Sequence, residues 1–232
     1  MVVLTVKSIL ITGACGGMGR EAVKLFAENG FRVFALDMQP CQEQDNVIPL
    51  QADITCPESV AAALQQVQEQ TDTLFAILHF AGLYMLDSLV ELEDENFRKI
   101  LDVNLYGAYL VNKTFLPLLK KGSRILMVTS ELAPLDPLPF TGIYAVTKAA
   151  LDKYAYALAM ELQLLGISVS VLRAGAVDTG MLGVSTAALD RFCEKTALYS
   201  CNAKRFKAIV NRVEARCIPP ARIAEKAFRV LH

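Results

Sequence analysis

Six apolar runs of strand length recur along the chain: SILITG, FRVFALD, VIPLQAD, TLFAILHFAG, SRILMVTS and ISVSVLRAG, with helical patterns filling the intervals. Near-continuous apolar runs mark strands buried on both faces, and neighbouring parallel strands need a crossover between them, usually a helix. This order predicts an α/β chain with one doubly wound parallel β-sheet flanked by helices on both faces. Helices are expected over about 17–29, 57–70, 93–119 and 143–165. Pro57 suits a first helical position, and Gly30 and Gly166 suit helix ends. At 232 residues without a linker or internal repeat, the chain reads as a single domain, 1–232. Residues 178–216 mix small, charged and cysteine residues in short helices. In an open α/β sheet such an insertion lies over the carboxyl edge of the strands, as a substrate lid.

Composition narrows the partners. With 53% hydrophobic and 20% charged residues, the chain can bury a core and is not disordered. Its 23 basic and 24 acidic side chains leave a net charge of -1, which gives no pull toward nucleic acid or an anionic membrane and favours a small-molecule ligand. Six cysteines (15, 41, 56, 193, 201 and 217) show no C-x-x-C pairing. That argues against a metal site and against a disulfide framework, and for a reducing, cytoplasmic setting. The apolar start MVVLTVKSILITGACGG carries a lysine in its middle and glycines directly after, so it reads as a strand and not as a signal peptide. No uninterrupted apolar run reaches membrane-spanning length.

TGACGGMG, Thr12 to Gly19, follows the first run and opens a helix. Gly13, Gly17 and Gly19 let the backbone turn sharply and approach a pyrophosphate, whose charge is favoured at a helix N-terminus. Asp37 ends FALD about 20 residues further on, where a carboxylate accepts hydrogen bonds from an adenosine ribose and repels a 2'-phosphate. The loop residues Ala14, Cys15 and Gly16 include no arginine for that phosphate, so NAD(H) is favoured over NADP(H). Asp53 in LQADIT has two readings: an adenine contact, or a cap for the helix starting near Pro57.

GIYAVTKAAL places Tyr144 four residues before Lys148, on one helical face. Alone, this spacing signifies packing. In the company of a nucleotide loop it acquires a chemical meaning. Moving a hydride to or from an alcohol carbon requires a proton to leave or join the oxygen, and a phenol with pKa near 10 is a poor base at neutral pH. An ammonium beneath it stabilises the phenolate. Ser130, ending SRILMVTS, can donate to the substrate oxygen as it gains charge.

Taken together, TGACGGMG, DVNLYG, VTSELAPLDPLPFTGIYAVTK and RAGAVDTGM closely resemble the short-chain dehydrogenase/reductase family, in the same order and over nearly the whole chain. The resemblance implies a Rossmann-type sheet of about seven parallel strands, a nicotinamide cofactor and a catalytic set of Asn104, Ser130, Tyr144 and Lys148. In that set Asn104 holds a water linking Lys148 to solvent, and Lys148 also binds the nicotinamide ribose. It further implies cofactor contacts from Gly13, Cys15, Gly17, Met18, Gly19, Asp37, Asp53, Ile54, Ala81, Gly82, Gly175, Val177 and Thr179, besides Asn104, Tyr144 and Lys148. A homodimer or homotetramer through the helices at 93–119 and 143–165 is expected on the same ground.

Several positions depart from the family pattern. Phe80 stands where the family has asparagine, removing a backbone-bracing hydrogen bond, and Ala174 replaces a proline before Gly175. One extra residue separates Ser130 from Tyr144, which leaves Thr129 as a second candidate donor. The chain stops at IAEKAFRVLH, where the family usually continues into another strand, so a truncated C-terminus is one expectation. Leu132, Leu135, Pro137, Leu138, Met181 and Leu182 predict an apolar substrate pocket suited to a hydroxysteroid or a 3-oxoacyl thioester. The rival function is a nicotinamide-binding redox sensor without turnover. His79, in an apolar run, reads as a packed side chain.

Overall fold

A computed structural model of the chain describes residues 6–214 and 217–231; for 180–186, 204 and 210–214 it describes the backbone alone. Six strands form one parallel sheet: β1 (Ser8–Thr12), β2 (Arg32–Asp37), β3 (Val47–Gln51), β4 (Leu74–His79), β5 (Leu119–Ser130) and β6 (Ser168–Ala174). Their spatial order is β3-β2-β1-β4-β5-β6. The direction of winding reverses between β1 and β4, and a crevice for a ligand opens at the carboxyl ends of strands at such a point. Pro49, which cannot donate to a ladder, sits on the edge strand β3. The family resemblance led to an expectation of about seven strands; among the described residues there are six.

Side-chain alternation divides the core into two layers. Leu10, Phe34, Leu36 and Ile77 face α2 (Pro57–Gln68), α4 (Gly107–Phe115) and α5 (Gly142–Leu162). Ile9, Ile11, Val33 and Leu78 face α1 (Gly17–Glu28) and α8 (Pro220–Leu231), where Phe26 stacks on Phe228 at 5.1 Å.

Two expected elements differ. The helix read as continuous over 93–119 is α3 (Asp94–Leu101), a π-helical turn (Asp102–Tyr106), α4 and a 3-10 turn (Leu116–Leu118), after which Leu119 already belongs to β5. Pro117 removes a helical donor near that junction. The short helices expected within 178–216 are two full ones, α6 (Gly180–Lys195) and α7 (Ser200–Glu214). Among the described residues no helix is long and apolar enough to cross a membrane.

Candidate active site

The loop from β1 into α1 is shaped by close approach. Gly13 has φ +68°, and a Cβ there would fall 2.5 Å from the Ala81 nitrogen. A larger residue would therefore force β1 and β4 apart. Gly16 caps α1 without any side-chain hydrogen bond. The first-turn N–H groups, those of Gly17, Met18 and Gly19 among them, are left for an anionic ligand. These features fit the pyrophosphate of a dinucleotide.

Asp37 leaves the end of β2 and is held by two main-chain donors: Cys15 N–H to Oδ2 at 3.0 Å and Gln39 N–H to Oδ1 at 2.9 Å. A carboxylate can accept further bonds beyond these two. Arg20, one turn into α1, donates to the Cys15 carbonyl at 3.1 Å, so an arginine borders the loop although the loop itself has none. Asp53 Oδ1 accepts from the Thr55 N–H at 2.8 Å and hydroxyl at 2.7 Å. Since Cys56 occupies the N-cap of α2, Asp53 shapes the preceding turn and does not cap the helix. Ile54 is buried against Gly107.

The expectation of no disulfide is overturned: Cys15 and Cys41 are bonded, with Cα atoms 5.8 Å apart. They lie 26 residues apart in the chain, and folding brings the glycine loop beside the turn after β2. No local motif signals such a pair.

Where β4 ends, buried Phe80 donates its N–H to the Thr12 carbonyl at 3.0 Å, and the Ala81 N–H reaches the Thr12 hydroxyl at 3.4 Å. Thr12 thereby braces the segment in which Phe80 replaces the family's asparagine. Asn104, on the π-helical turn, is 1% exposed. Its Oδ1 accepts from Leu83 N–H at 2.7 Å, while its Nδ2 donates to the Leu83 carbonyl at 2.9 Å and to Thr147 Oγ1 at 3.0 Å. A π-turn of this kind redirects a side chain that a regular helix would aim elsewhere.

Ser130, Tyr144, Lys148 and Asn104 are brought together. The hydroxyls of Tyr144 and Ser130 share a hydrogen bond, and Ser130 Oγ accepts from the Leu132 N–H at 3.2 Å. Thr129, the other candidate donor, instead donates to Asp152 Oδ1 at 2.8 Å. Lys148 Nζ lies 5.7 Å from the centre of the Tyr144 ring and donates to the Val128 carbonyl at 3.4 Å. A Cβ on Gly82 would stand 3.3 Å from both Asn104 Oδ1 and Lys148 Nζ. The bare glycine leaves room between amide and ammonium.

Burial dominates the electrostatics here. It pushes the Tyr144 phenol up to about 12, against the Ser130 hydrogen bond and with a further push from Tyr84, whose ring centre is 4.9 Å away. It pulls the Lys148 ammonium down to about 8, so the side chain still carries its proton at pH 7. A phenol this weakly acidic needs added positive charge before it can serve as a base.

Beyond β6, Gly175 packs against Glu131, whose carboxylate oxygen would meet a Cβ there at 2.8 Å. Val177 pairs with Ile218 in a single bridge, and Thr179 covers Gly17, its methyl 2.7 Å from where a Cβ would stand. Sequence reasoning missed Tyr84, Thr147 and Glu131. Thr147 was findable as the residue one helical turn past Tyr144; the other two carry no local signal.

A cleft of about 690 Å³ opens between the loops after β4 and β5 and α7, lined by Leu89, Pro137, Leu138, Phe140, Tyr199 and Phe206, with Arg205 at its wall. Pro137 and Leu138 were expected there; Leu132 and Leu135 do not line it, and the side chains of Met181 and Leu182 lie outside the described residues. Phe140, at φ +66°, packs against Phe192 in a tilted arrangement and meets Tyr199 and Phe206 edge to face, with ring centres 4.3, 5.0 and 5.1 Å away. Buried His79 pairs through Nε2 with Asn112 Oδ1 at 2.8 Å, a packed role as expected.

The family model for short chain dehydrogenases matches residues 7–190. Over 191 residues the chain is 35% identical to estradiol 17-beta-dehydrogenase 2 of Mus musculus, covering 76% of this chain and 50% of that one, so it spans half of that relative's length. Over 189 residues it is 32% identical to oxidoreductase UcpA of Escherichia coli, covering 77% of this chain and 72% of the other. Its fold matches the crystal structure of 3-ketoacyl-(acyl-carrier-protein) reductase from Brucella melitensis complexed with NADH, with TM-score 0.80 and 25% identity over 97% of this chain and 90% of that one. With this sheet, this glycine loop and these matches, the chain belongs to the short chain dehydrogenase family.

Proposed function

We propose that the chain is a cytoplasmic, homo-oligomeric oxidoreductase that moves a hydride between NAD(H) and an apolar secondary alcohol or its ketone. The observation that carries this reading is the Tyr144 hydroxyl, hydrogen-bonded to Ser130 with the Lys148 ammonium on the next helical turn. The nicotinamide supplies the hydride site and, when oxidised, a positive charge near the phenol. In the oxidative direction Tyr144 takes the alcohol proton, Ser130 donates to the oxygen as charge develops, and the Lys148 ammonium together with the positive charge of the oxidised nicotinamide would draw the phenol toward working pH. Asn104 and Lys148, facing each other across Gly82, hold the water through which the proton leaves.

Asp37 favours NAD(H), because its carboxylate accepts from ribose hydroxyls and repels a 2'-phosphate. The apolar cleft, which borders Gly142 two residues before Tyr144, suits a hydroxysteroid, the class of the estradiol in the mouse relative's name, or a 3-oxoacyl thioester, the class in the Brucella enzyme's name.

The test follows reduced-nicotinamide absorbance with steroid ketones, 3-oxoacyl thioesters and simple ketones, each with NADH and NADPH. Turnover of an apolar ketone is expected, faster with NADH. Tyr144→Phe should lower kcat by about 10²- to 10⁴-fold while NADH still binds. Cofactor binding without turnover of any substrate overturns the enzyme reading in favour of a sensor. A fully active Tyr144→Phe removes Tyr144 from its role.

A further inference from the structure

The Cys15–Cys41 link joins two segments that hold the same carboxylate. Cys15 belongs to the glycine loop and donates its N–H to Asp37 Oδ2; Cys41 lies just past the turn in which Gln39 N–H donates to Asp37 Oδ1. Both sulfurs sit beside the Gln39 carbonyl oxygen, at 3.6 and 3.9 Å. The covalent tie therefore joins the two segments flanking the carboxylate proposed to accept the adenosine ribose. Both cysteines are half-buried, within reach of a small thiol, and Met38, Gln39 and Pro40 between them and β2 are exposed and outside regular structure. Cys56, Cys193, Cys201 and Cys217 are free thiols.

We propose that Cys15 and Cys41 form a thiol–disulfide modification site that sets cofactor affinity: the dithiol binds NAD(H) tightly and the disulfide weakly. The inference rests on the nicotinamide reading above. In the disulfide, residues 38–41 are drawn onto the glycine loop and the sulfur pair occupies the approach to Asp37, where ribose hydroxyls must enter. In the dithiol that segment is tied to the loop only by hydrogen bonds and can yield. Reduction proceeds by exchange with a low-molecular-weight thiol such as glutathione. A first thiolate attacks one sulfur, forming a mixed disulfide and releasing the other cysteine as a thiolate. A second thiol then releases the first cysteine. One protein disulfide and two small thiols become two protein thiols and one small disulfide. Oxidation is the reverse, with oxidised glutathione accepting the two electrons and both thiol protons.

The full chain is equilibrated with reduced or oxidised glutathione, the Cys15–Cys41 link is mapped by peptide mass, and NADH affinity is measured by fluorescence titration. Oxidation should weaken NADH binding by about tenfold, inside the 5- to 150-fold span typical of coupled sites. Cys41→Ser should bind like reduced wild type under both conditions, and Cys201→Ser should retain the response. Equal affinities in mapped oxidised and reduced wild type, or no link formed under oxidant, overturn the inference. If reduced protein binds neither NADH nor NADPH, the nicotinamide reading fails and this inference with it. Because the mapping uses no cofactor, the two failures are told apart.

Discussion

Lys148 is a charged side chain only 6% exposed, and among the described residues its one protein acceptor is a carbonyl at 3.4 Å. Burial pulls its ammonium from 10.5 down to about 8, so below pH 8 the folded protein holds a proton in a place that resists it. Between about 8 and 10.5 the unfolded chain binds that proton and the folded one does not, so stability rises with pH across this window. Below it the penalty is fully present, at about 3 kcal/mol. Lys148→Met should therefore raise urea-unfolding stability at pH 7, with the gain shrinking as pH climbs through 8 to 10.5, while catalysis is lost. A variant less stable than wild type at pH 7 would mean that the ammonium is satisfied by groups beyond Val128. The proposed base shows the matching tension: burial pushes the Tyr144 phenol up to about 12, so in the protein alone it stays neutral. Sites that work hold groups in states the fold would not choose.

At the scale of elements, β4 meets α4 through His79 and Asn112, with Asn112 Nδ2 donating onward to the Tyr154 hydroxyl of α5 at 3.3 Å. Burial holds the imidazole near 4, against 6.5 in the unfolded chain, so His79 is folded in its neutral form. Its contribution is present above pH 6.5 and is lost as pH falls through about 4. Wild type should lose stability on acidification from 6.5 to 4, and His79→Gln, which keeps a donor for Asn112, should flatten that slope in thermal melts; an unchanged slope would assign the loss to other groups. Such pairings mark the limit of what the sequence discloses. The strands were legible because burial on both faces requires long apolar runs, and the glycine loop because only glycine tolerates the approach of Gly13 to Ala81. Tyr144, Lys148, Ser130 and Asn104 were legible as motifs in order. The π-helical turn was not, since 93–119 keeps helical periodicity through it and the turn is fixed by how Asn104 bonds to Leu83 and Thr147. The cysteine pair, Tyr84 against Tyr144 and Glu131 against Gly175 are contacts between distant segments, which local patterns do not encode.

Across the whole molecule, two neighbouring helices expose matching stripes. On α5, Val146, Lys153, Tyr156 and Met160 recur at three-, four- and seven-residue spacing and face outward, with Tyr156 64% and Met160 52% exposed. Beside it, Tyr106, Tyr109 and Leu116 expose the outer side of α4 and its flanking turns, Tyr109 lying 6.4 Å from Tyr154 of α5 between ring centres. A contiguous aromatic and aliphatic face of this kind, with Lys113 and Lys153 at intervals, is unusual for a surface meeting only water. The homo-oligomer proposed above would use this face about a two-fold axis, the α4 and α5 pair of one copy packing on that of another. A stable association of this type buries on the order of 1,600 Å² in total, within reach of two helices per copy. Wild type should therefore run at twice the chain's mass or more in light scattering coupled to size exclusion. Tyr156→Glu places an unpaired carboxylate at the centre of the stripe and should shift the protein to monomer, with its near-ultraviolet dichroism showing that the fold persists. Monomeric wild type removes this face from the oligomeric reading. An unshifted Tyr156→Glu dimer would place the interface elsewhere on the surface.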